Sequence, residues 1–405
     1  MTVCLNEAQR DFHPVQVKTG FGKETLEFTF PAGYERNADC PDVYYIGSGA
    51  YGYVAHTIGT TAHADNAGNR LSIRVAVKQF RNAMESSFTA QHCYRELKLL
   101  QHLNHPSIAK IVDIYTTSTN YADLDNVYLV TEFAGSTLDK FLVIQQEDNI
   151  THLDMNTIRF VIHDSLCALK YLKAANVLHR DLKPSNLALS KVASGDIRAV
   201  LIDYGLARIK DDVNEMSNYV FTRNYRAPEV IYWKSGRYDS AADMWSVGCI
   251  LAELITWRPL FTPPTSSDVI DAHLSLCGPV SEQLLAKIAD NETVTPLRTK
   301  SRLFDRRQDF RTYFASRNKV ADLDGEDASV IDFLNRCLQM DPDERLTIDD
   351  ALEHEFLLGT AAPEDLVDVA PLNDYDDGQR CLADWKRIIW KEIRQFRARD
   401  ETPLP

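Results

Sequence analysis

No stretch of about 18 apolar residues occurs anywhere in this chain of 405 residues, so no segment is expected to cross a membrane as a helix. Its first residues, MTVCLNEAQRDFHP, lack the apolar core of a secretory leader, and no secretory signal is expected. The eight cysteines, at 4, 40, 93, 167, 249, 277, 337 and 381, form no CxxC pair. That spacing excludes a zinc site or a disulfide frame as the organising device and predicts reduced thiols in an intracellular protein. Positive charge is in deficit: 44 Lys and Arg against 58 Asp and Glu leave a net charge of −14. Such a surface repels nucleic acid and anionic lipid and suits basic partners. There is no internal repeat and no low-complexity tract. What is present is an apolar share of 44%, enough for a large core, in a length that accommodates two lobes and an extension.

The residues that carry chemistry concentrate between Asn176 and Arg208, in NVLHRDLKPSNLALSKVASGDIRAVLIDYGLAR. Asp181 and Asn186 share one loop, and Asp203 follows the apolar strand Ala199-Val200-Leu201-Ile202. Phosphoryl transfer needs this inventory: a carboxylate to orient the attacking hydroxyl, and oxygen ligands for Mg²⁺. HRDxxxxN followed by an apolar strand and Asp-aromatic-Gly resembles the protein-kinase signature.

The rest of the chain is consistent with that signature. Residues 1–35 are mixed and polar; LEFTF (Leu26 to Phe30) alternates like an edge strand and stops at Pro31, with no chemistry of its own. In YYIGSGAYGYV, Gly47, Gly49 and Gly52 make GxGxxGxV, and glycines let backbone amides approach phosphate oxygens. A dinucleotide-binding fold also uses glycines, but it follows them with a helix, whereas Tyr53 to Thr57 reads as extended. In RLSIRVAVKQF, Leu71, Ile73, Val75 and Val77 share a face expected to pack on a helix, while Ala76 and Lys78 face a cleft. Ala76 leaves room for a flat base, and Lys78 can reach phosphates. A helix is predicted over 85–103, with Glu96, Leu100 and Leu103 on one stripe. A glutamate on an apolar stripe calls for a cation, and Lys78 is the natural one.

VYLVT is an apolar strand leading to a hinge, EFAGS, with Thr131 at the back of the pocket and the Glu132 and Ala134 backbone set against an adenine edge. An amphipathic helix over 157–175 feeds the catalytic loop, where Lys183 is placed to contact the transferring phosphate. The polar segment IKDDVNEMSNYVFTRNYRAPEV is read as an activation loop, bounded by Ala227 to Glu229. DMWSVGCILAELITW is apolar nearly all round and predicts a buried central helix. Arg345 is placed to pair with Glu229. After an acidic run, Trp385, Ile388, Ile389, Ile393 and Phe396 recur at helical spacing and are expected to pack back on the body.

Over nearly its whole length the chain resembles the MAP kinases, above all their stress-activated Hog and p-thirty-eight branch. IGSGAYGYV, CYRELKLLQHLNHPSI, VYLVT, HRDLKPSNLA, GLAR, YVFTRNYRAPEV, DMWSVGCILAELIT and LADWKR carry the resemblance. It implies an α+β, bilobal fold: an N-terminal extension (1–35), a small β-rich lobe (36–134), a larger α-helical lobe (135–358) and a C-terminal extension (359–405). It implies a proline-directed serine/threonine kinase that uses ATP and Mg²⁺. Asp181, Lys183, Lys78 and Glu96 are the implied catalytic set. The nucleotide is implied to lie along Ile46, Gly47, Gly49, Gly52, Val54, Ala76, Lys78, Thr131, Glu132, Ala134, Asn186 and Asp203, with the metal on the last two. Ser217 and Tyr219 are the implied phosphosites, gripped by Arg95 and Arg180 and by Arg223 and Arg226 respectively. Glu364 and Asp365 match the family's acidic docking patch. The implied partners are an upstream dual-specificity kinase, and substrates and phosphatases with basic docking motifs. No nucleic acid or membrane partner is expected; a monomer in cytoplasm and nucleus is.

The departures matter as much. Ser217-Asn218-Tyr219 stands for Thr-x-Tyr, DYG for DFG, and Asn224 for a tryptophan. Thr137 occupies the place of the acid that holds the ribose, with Asp139 two residues on. His92 replaces a loop-gripping arginine. It either joins the phosphoserine grip, titrating near ~6.5 and raised by the phosphate, or faces solvent and touches nothing. A catalytically silent kinase fold serving as a scaffold is the rival class; Mg-ATP binding and turnover separate the two. A small-molecule kinase is disfavoured by the APE segment and the acidic extension, both of which serve peptide recognition.

Overall fold

The computed structural model describes residues 12–19, 25–31, 43–49, 52–64, 70–80, 82–148, 150, 153–191, 197–209, 223–232, 239–265, 268–288, 291–315, 327–360, 369–372, 378 and 380–400. Strands β1 (Phe12–Lys18) and β2 (Thr25–Pro31) pair antiparallel as a hairpin. Next come β3 (Tyr44–Gly49), β4 (Gly52–Ala64), β5 (Arg70–Phe80), β6 (Ile111–Tyr115) and β7 (Tyr128–Glu132), an antiparallel sheet in the spatial order β3-β4-β5-β7-β6.

The alternation of β5 puts Val75 and Val77 on a buried face, but that face does not meet a helix. It meets the hairpin: Val17, Phe28 and Phe30 form one cluster with Val75, Val77, Tyr115, Tyr128 and Val130. Tyr115 Oη donates to the Thr29 carbonyl (3.0 Å) and fastens the hairpin to the sheet. The helix α1 (Ser87–His102) stands on the Lys78 side instead, which is what lets Glu96 reach Lys78. It starts two residues later than the pattern predicts, because Ser86 is the N-cap and forms a capping box with Thr89.

The second part of the chain is mainly helical. Helices α2 (Leu138–Glu147), α3 (Met155–Ala174), α4 (Pro228–Tyr232) and α5 (Ser240–Thr256) surround two small sheets. One runs β11-β10-β8, built from β8 (Ser136–Thr137), β10 (Leu187–Lys191) and β11 (Ile197–Leu201); the other pairs β9 (Val177–Leu178) with β12 (Arg208–Ile209). The loop that carries Asp181 and Asn186 leaves β9 and enters β10, and Asp203 lies just past β11, so these short ladders fix where those side chains start. Helix α5 is buried along almost all of its length, as its all-round apolarity requires.

The C-terminal helix Leu382–Asp400 lies on α1. Trp385 packs on Tyr94 with ring centroids 5.3 Å apart, Lys98 pairs with Glu392 (3.1 Å), and Arg397 Nε donates to the Ile114 carbonyl (3.2 Å). Cys93, Cys167, Cys249, Cys277 and Cys337 are buried free thiols. No helix among the described residues is long and apolar enough to cross a membrane.

One core residue runs against the pattern. His273 is fully buried between Trp245 and Phe261, with ring centroids 4.9 and 4.6 Å away, and neither ring nitrogen has a hydrogen-bond partner among the described residues. Burial, and then the Arg345 charge, push its pKa down to about 3, so the ring is neutral. A buried polar group without a partner costs stability. His273→Leu is therefore expected to stabilise the fold by about 1–2 kcal/mol at pH 7. Because the folded pKa lies below the unfolded value of about 6.5, the neutral ring's contribution is complete above that value and is lost as pH falls toward 3. Melting curves between pH 8 and pH 5 check both points: wild type should lose stability faster than the variant as pH falls, and parallel curves would refute the account.

Candidate active site

Lys78, on the cleft face of β5, donates to both Glu96 oxygens (2.7 Å each) and to Asp203 Oδ1 (3.0 Å). Burial alone would lower the lysine's pKa, but the Asp203 and Glu96 carboxylates outweigh it and raise the value, so the side chain is an ammonium. Burial works the other way on Asp203, and there Lys78 prevails, holding the carboxyl below its usual range. The aspartate is thus ionised and fixed, as a metal ligand must be.

Asp203 has φ of +63° and Arg180 +70°, conformations that L-residues rarely adopt. A buried carboxylate on α5 stabilises the second of these turns: Asp243 accepts from the His179 amide (3.2 Å) and the Arg180 amide (3.0 Å). The next residue is Asp181. Lys183 Nζ (2.6 Å) and Asn186 Nδ2 (3.0 Å) both donate to its Oδ2, and Asn186 Nδ2 also reaches the Asp181 carbonyl (2.8 Å). The carboxylate, the lysine and the amide are thereby locked together. Tyr204 is fully buried, edge-on to His179 (5.3 Å), and its hydroxyl donates to the Leu201 carbonyl (3.3 Å). The tyrosine of DYG keeps its ring in the core and adds a bond that phenylalanine cannot make.

A cavity of about 440 Å³ lies in front of these groups. Ile46, Gly47, Val54, Ala76, Thr131, Glu132, Ala134, Lys78, Asn186 and Asp203 all line it. Gly52 does not; it pairs with Gly49 between β3 and β4. A Cβ on Gly52 would stand 2.4 Å from the Gln79 carbonyl oxygen, so this turn admits only glycine. Sequence reasoning missed a second obligatory glycine, Gly135 in the hinge: its φ is +100°, and a Cβ there would meet the Leu189 carbonyl oxygen at 1.9 Å. Its only signal was the position between two strands.

The structure decides between the two readings of His92. The residue is 3% exposed, its ring lies 4.2 Å from that of Phe88, and its Nδ1 donates to the Phe88 carbonyl (2.8 Å). It does not face solvent. Burial, and then the Arg95 charge, push its pKa down to about 4, so the expected titration near neutrality does not occur in this state. Arg180 also acts on it, which puts His92, Arg95 and Arg180 in one neighbourhood. Arg223 and Arg226 form a turn beside the catalytic loop, the Arg226 amide donating to the Arg223 carbonyl (3.2 Å). Ser217, Tyr219, Glu364 and Asp365 lie outside the described residues. Glu229 and Arg345 are paired by two bonds of 2.5 and 2.6 Å.

Comparison with known proteins agrees with this geometry. The protein kinase domain family matches residues 42–357. The chain is 37% identical over 382 residues to the mitogen-activated protein kinase pmk-3 of Caenorhabditis elegans, covering 94% of this chain and 76% of that one. It is 31% identical over 401 residues to human mitogen-activated protein kinase 12, covering 96% and 99%. With the p38a kinase of Drosophila melanogaster the identity is 33% over 377 residues, covering 89% and 91%. A match of this extent, with the ion pair and the catalytic loop in place, means that the chain belongs to the protein kinase family and, within it, to the p38-type mitogen-activated protein kinases.

Proposed function

We propose that this kinase transfers the γ-phosphate of ATP to serine or threonine followed by proline, once phosphorylated on both Ser217 and Tyr219, in the response to stress. The observation that carries the reading is the Asp181 carboxylate, held at Oδ2 by Lys183 and Asn186 beside the Lys78–Glu96–Asp203 cluster. With Oδ2 engaged, Oδ1 is left to accept the proton of an acceptor hydroxyl, and Lys183 lies within reach of the group being transferred. Lys78, fixed by Glu96, holds the α and β phosphates. Protein kinases use ATP with Mg²⁺, and the donor set fits: ionised Asp203 and the Asn186 amide, whose nitrogen faces Asp181 and leaves its oxygen for a metal. Held by these two residues, Mg²⁺ would supply positive charge against the phosphates.

Beside Asp181 the Tyr225, Ala227 and Val230 side chains share a small pocket with Arg180, Arg226 and Asp243, and the proline after the acceptor is assigned to this face. Phosphoserine 217 is assigned to Arg95 and Arg180, and phosphotyrosine 219 to Arg223 and Arg226, in a loop ordered by an upstream dual-specificity kinase. Substrates and phosphatases with basic segments are assigned to Glu364 and Asp365, in keeping with the net charge of −14. The assembled cluster disfavours the silent-scaffold reading.

The test compares the purified, activated enzyme with Ser217→Ala and Tyr219→Phe on matched Ser-Pro and Ser-Ala peptides. Each variant should lose at least about tenfold in activity, the worth of one charge-assisted bond or more, and Ser-Ala should be the poor substrate. Equal turnover of the two peptides would remove proline direction; full activity of both variants would remove the phosphorylation switch.

A further inference from the structure

The C-terminal helix Leu382–Asp400 has two faces of opposite kind. Its inward face holds it in place: Trp385, Ile389 and Ile393 are buried, and the buried Glu392 accepts from Lys98 (3.1 Å) and Gln101 (3.4 Å) of α1. Its outward face carries Arg387, Lys391 and Arg394, all exposed. They stand at i, i+4 and i+7 and so form one ridge along the helix. Like charges at that spacing weaken a helix, and the packing of the inward face gains nothing from them. Lys391 has no ion-pair partner among the described residues. Arg387 pairs with Asp384 (3.3 Å), but the two side chains are 64% and 46% exposed, so the pair is weak and the guanidinium keeps donors for another carboxylate. Arg387 also lies over the ring of Tyr121 at 5.7 Å, and the neighbouring Lys386 donates to the Ala122 carbonyl (3.2 Å). Tyr121 is itself 45% exposed, so the ridge begins beside an open aromatic ring.

The ridge runs against the charge of the whole. A chain with a net charge of −14 repels acidic partners over most of its surface, and a row of cations concentrates what attraction there is in one place. Arginine and tyrosine are also the side chains that anchor protein interfaces. The helical rise puts Lys391 about 6 Å and Arg394 about 10.5 Å along the axis from Arg387. An extended chain returns to the same face about every 6.6 Å, so carboxylates at alternate positions can follow the ridge. We propose that Tyr121, Arg387, Lys391 and Arg394 form a docking surface for an extended protein segment with Asp or Glu at alternate positions. None of the four lines the nucleotide cavity, so this surface acts apart from the chemistry. Its charge is opposite to that of the Glu364 and Asp365 patch, so the two would take different partners.

The test is fluorescence anisotropy of a labelled, alternating Glu-Thr peptide with the whole chain, a Gln-Thr peptide of the same length being the control. Wild type should bind the Glu-Thr peptide at least about tenfold more tightly at low salt, and the difference should shrink as salt is added. Replacing Arg387, Lys391 and Arg394 together by glutamine should weaken that binding at least about tenfold and leave turnover of a short substrate peptide unchanged. Replacing the exposed Arg302, Arg306 and Arg311 by glutamine removes as much charge elsewhere and should change it less than about twofold. Equal binding of the two peptides by wild type, or equal losses in the two triple variants, overturns the proposal and leaves the ridge a solvated face. An oligodeoxynucleotide of equal charge that binds the ridge more tightly than the Glu-Thr peptide overturns the assignment to a protein segment. If the ridge variant does not fold, Lys391→Gln alone should weaken binding about threefold, and an unchanged affinity there overturns the proposal as well.

Discussion

Asp181→Asn is expected to turn over peptide about 10²–10⁴-fold more slowly than wild type, the usual worth of a positioned general base. In the structure one carboxylate oxygen accepts from both Lys183 and Asn186, and the other is available to the acceptor hydroxyl. An amide keeps the size but cannot take the proton, and its NH₂ group would face either a donor or the incoming hydroxyl. Because the role proposed for Asp181 is toward the acceptor and not the nucleotide, the loss should fall on kcat, with KM for ATP nearly unchanged. Lys78→Arg is the contrasting case. A planar guanidinium cannot place one ammonium between Glu96 at 2.7 Å and Asp203 at 3.0 Å, so ATP affinity and kcat should fall together. Steady-state kinetics on samples phosphorylated to the same extent, with melting temperatures to show intact folding, read both. Retention of more than about a tenth of wild-type turnover by Asp181→Asn would overturn its role, being well short of the expected range.

These groups were legible in the sequence because their spacing is short and their geometry follows from it. Asp181 and Asn186 lie on one tight loop, so the loop alone brings them together, and a β-strand's two-residue period puts Ala76 and Lys78 on one face without further information. Long-range placement is less legible. The β5 pattern showed that Val75 and Val77 are buried, but not by what; the covering element is a hairpin whose strands FHPVQVK and TLEFTFP mix polar and apolar residues and look unremarkable apart. Gly135 escaped because its need arises from the Leu189 carbonyl, 54 positions away. His92 could be placed on a helix face next to Arg95, but only the packing of Phe88 against it and the buried charge beside it fix its protonation. The Trp385 to Phe396 stripe was legible as a helix with something to cover, and its partner α1 was not.

Arg345 carries the largest expected effect on stability. Its side chain is 0% exposed and that of its partner Glu229 1%, so the pair is out of water. The guanidinium makes two bonds to the carboxylate (2.5 and 2.6 Å), donates from Nε to the Gln339 carbonyl (2.8 Å) and from Nη1 to the Ala241 carbonyl (2.9 Å), and lies over the Trp245 ring at 5.2 Å. Arg345→Met keeps much of the volume but leaves Glu229 charged, buried and alone, together with two carbonyls that have lost a donor. That is expected to cost about 3–5 kcal/mol. Glu229→Gln combined with Arg345→Met removes the stranded charge and should recover part of the loss, because a buried ion pair is far more harmful half-removed than removed whole. The arginine's charge also helps to hold His273 neutral, so in Arg345→Met the His273 ring should protonate more readily, and acid should destabilise the variant less through that residue than it does wild type. Glu229 ends the stretch read as the activation segment, so on that reading activity should fall with stability in the single variant even at temperatures where it is folded. Urea unfolding of the wild type, the single variant and the double variant measures the differences; a single variant as stable as wild type, or a double variant less stable than the single, would show that the pair does not act as a buried, mutually compensating unit.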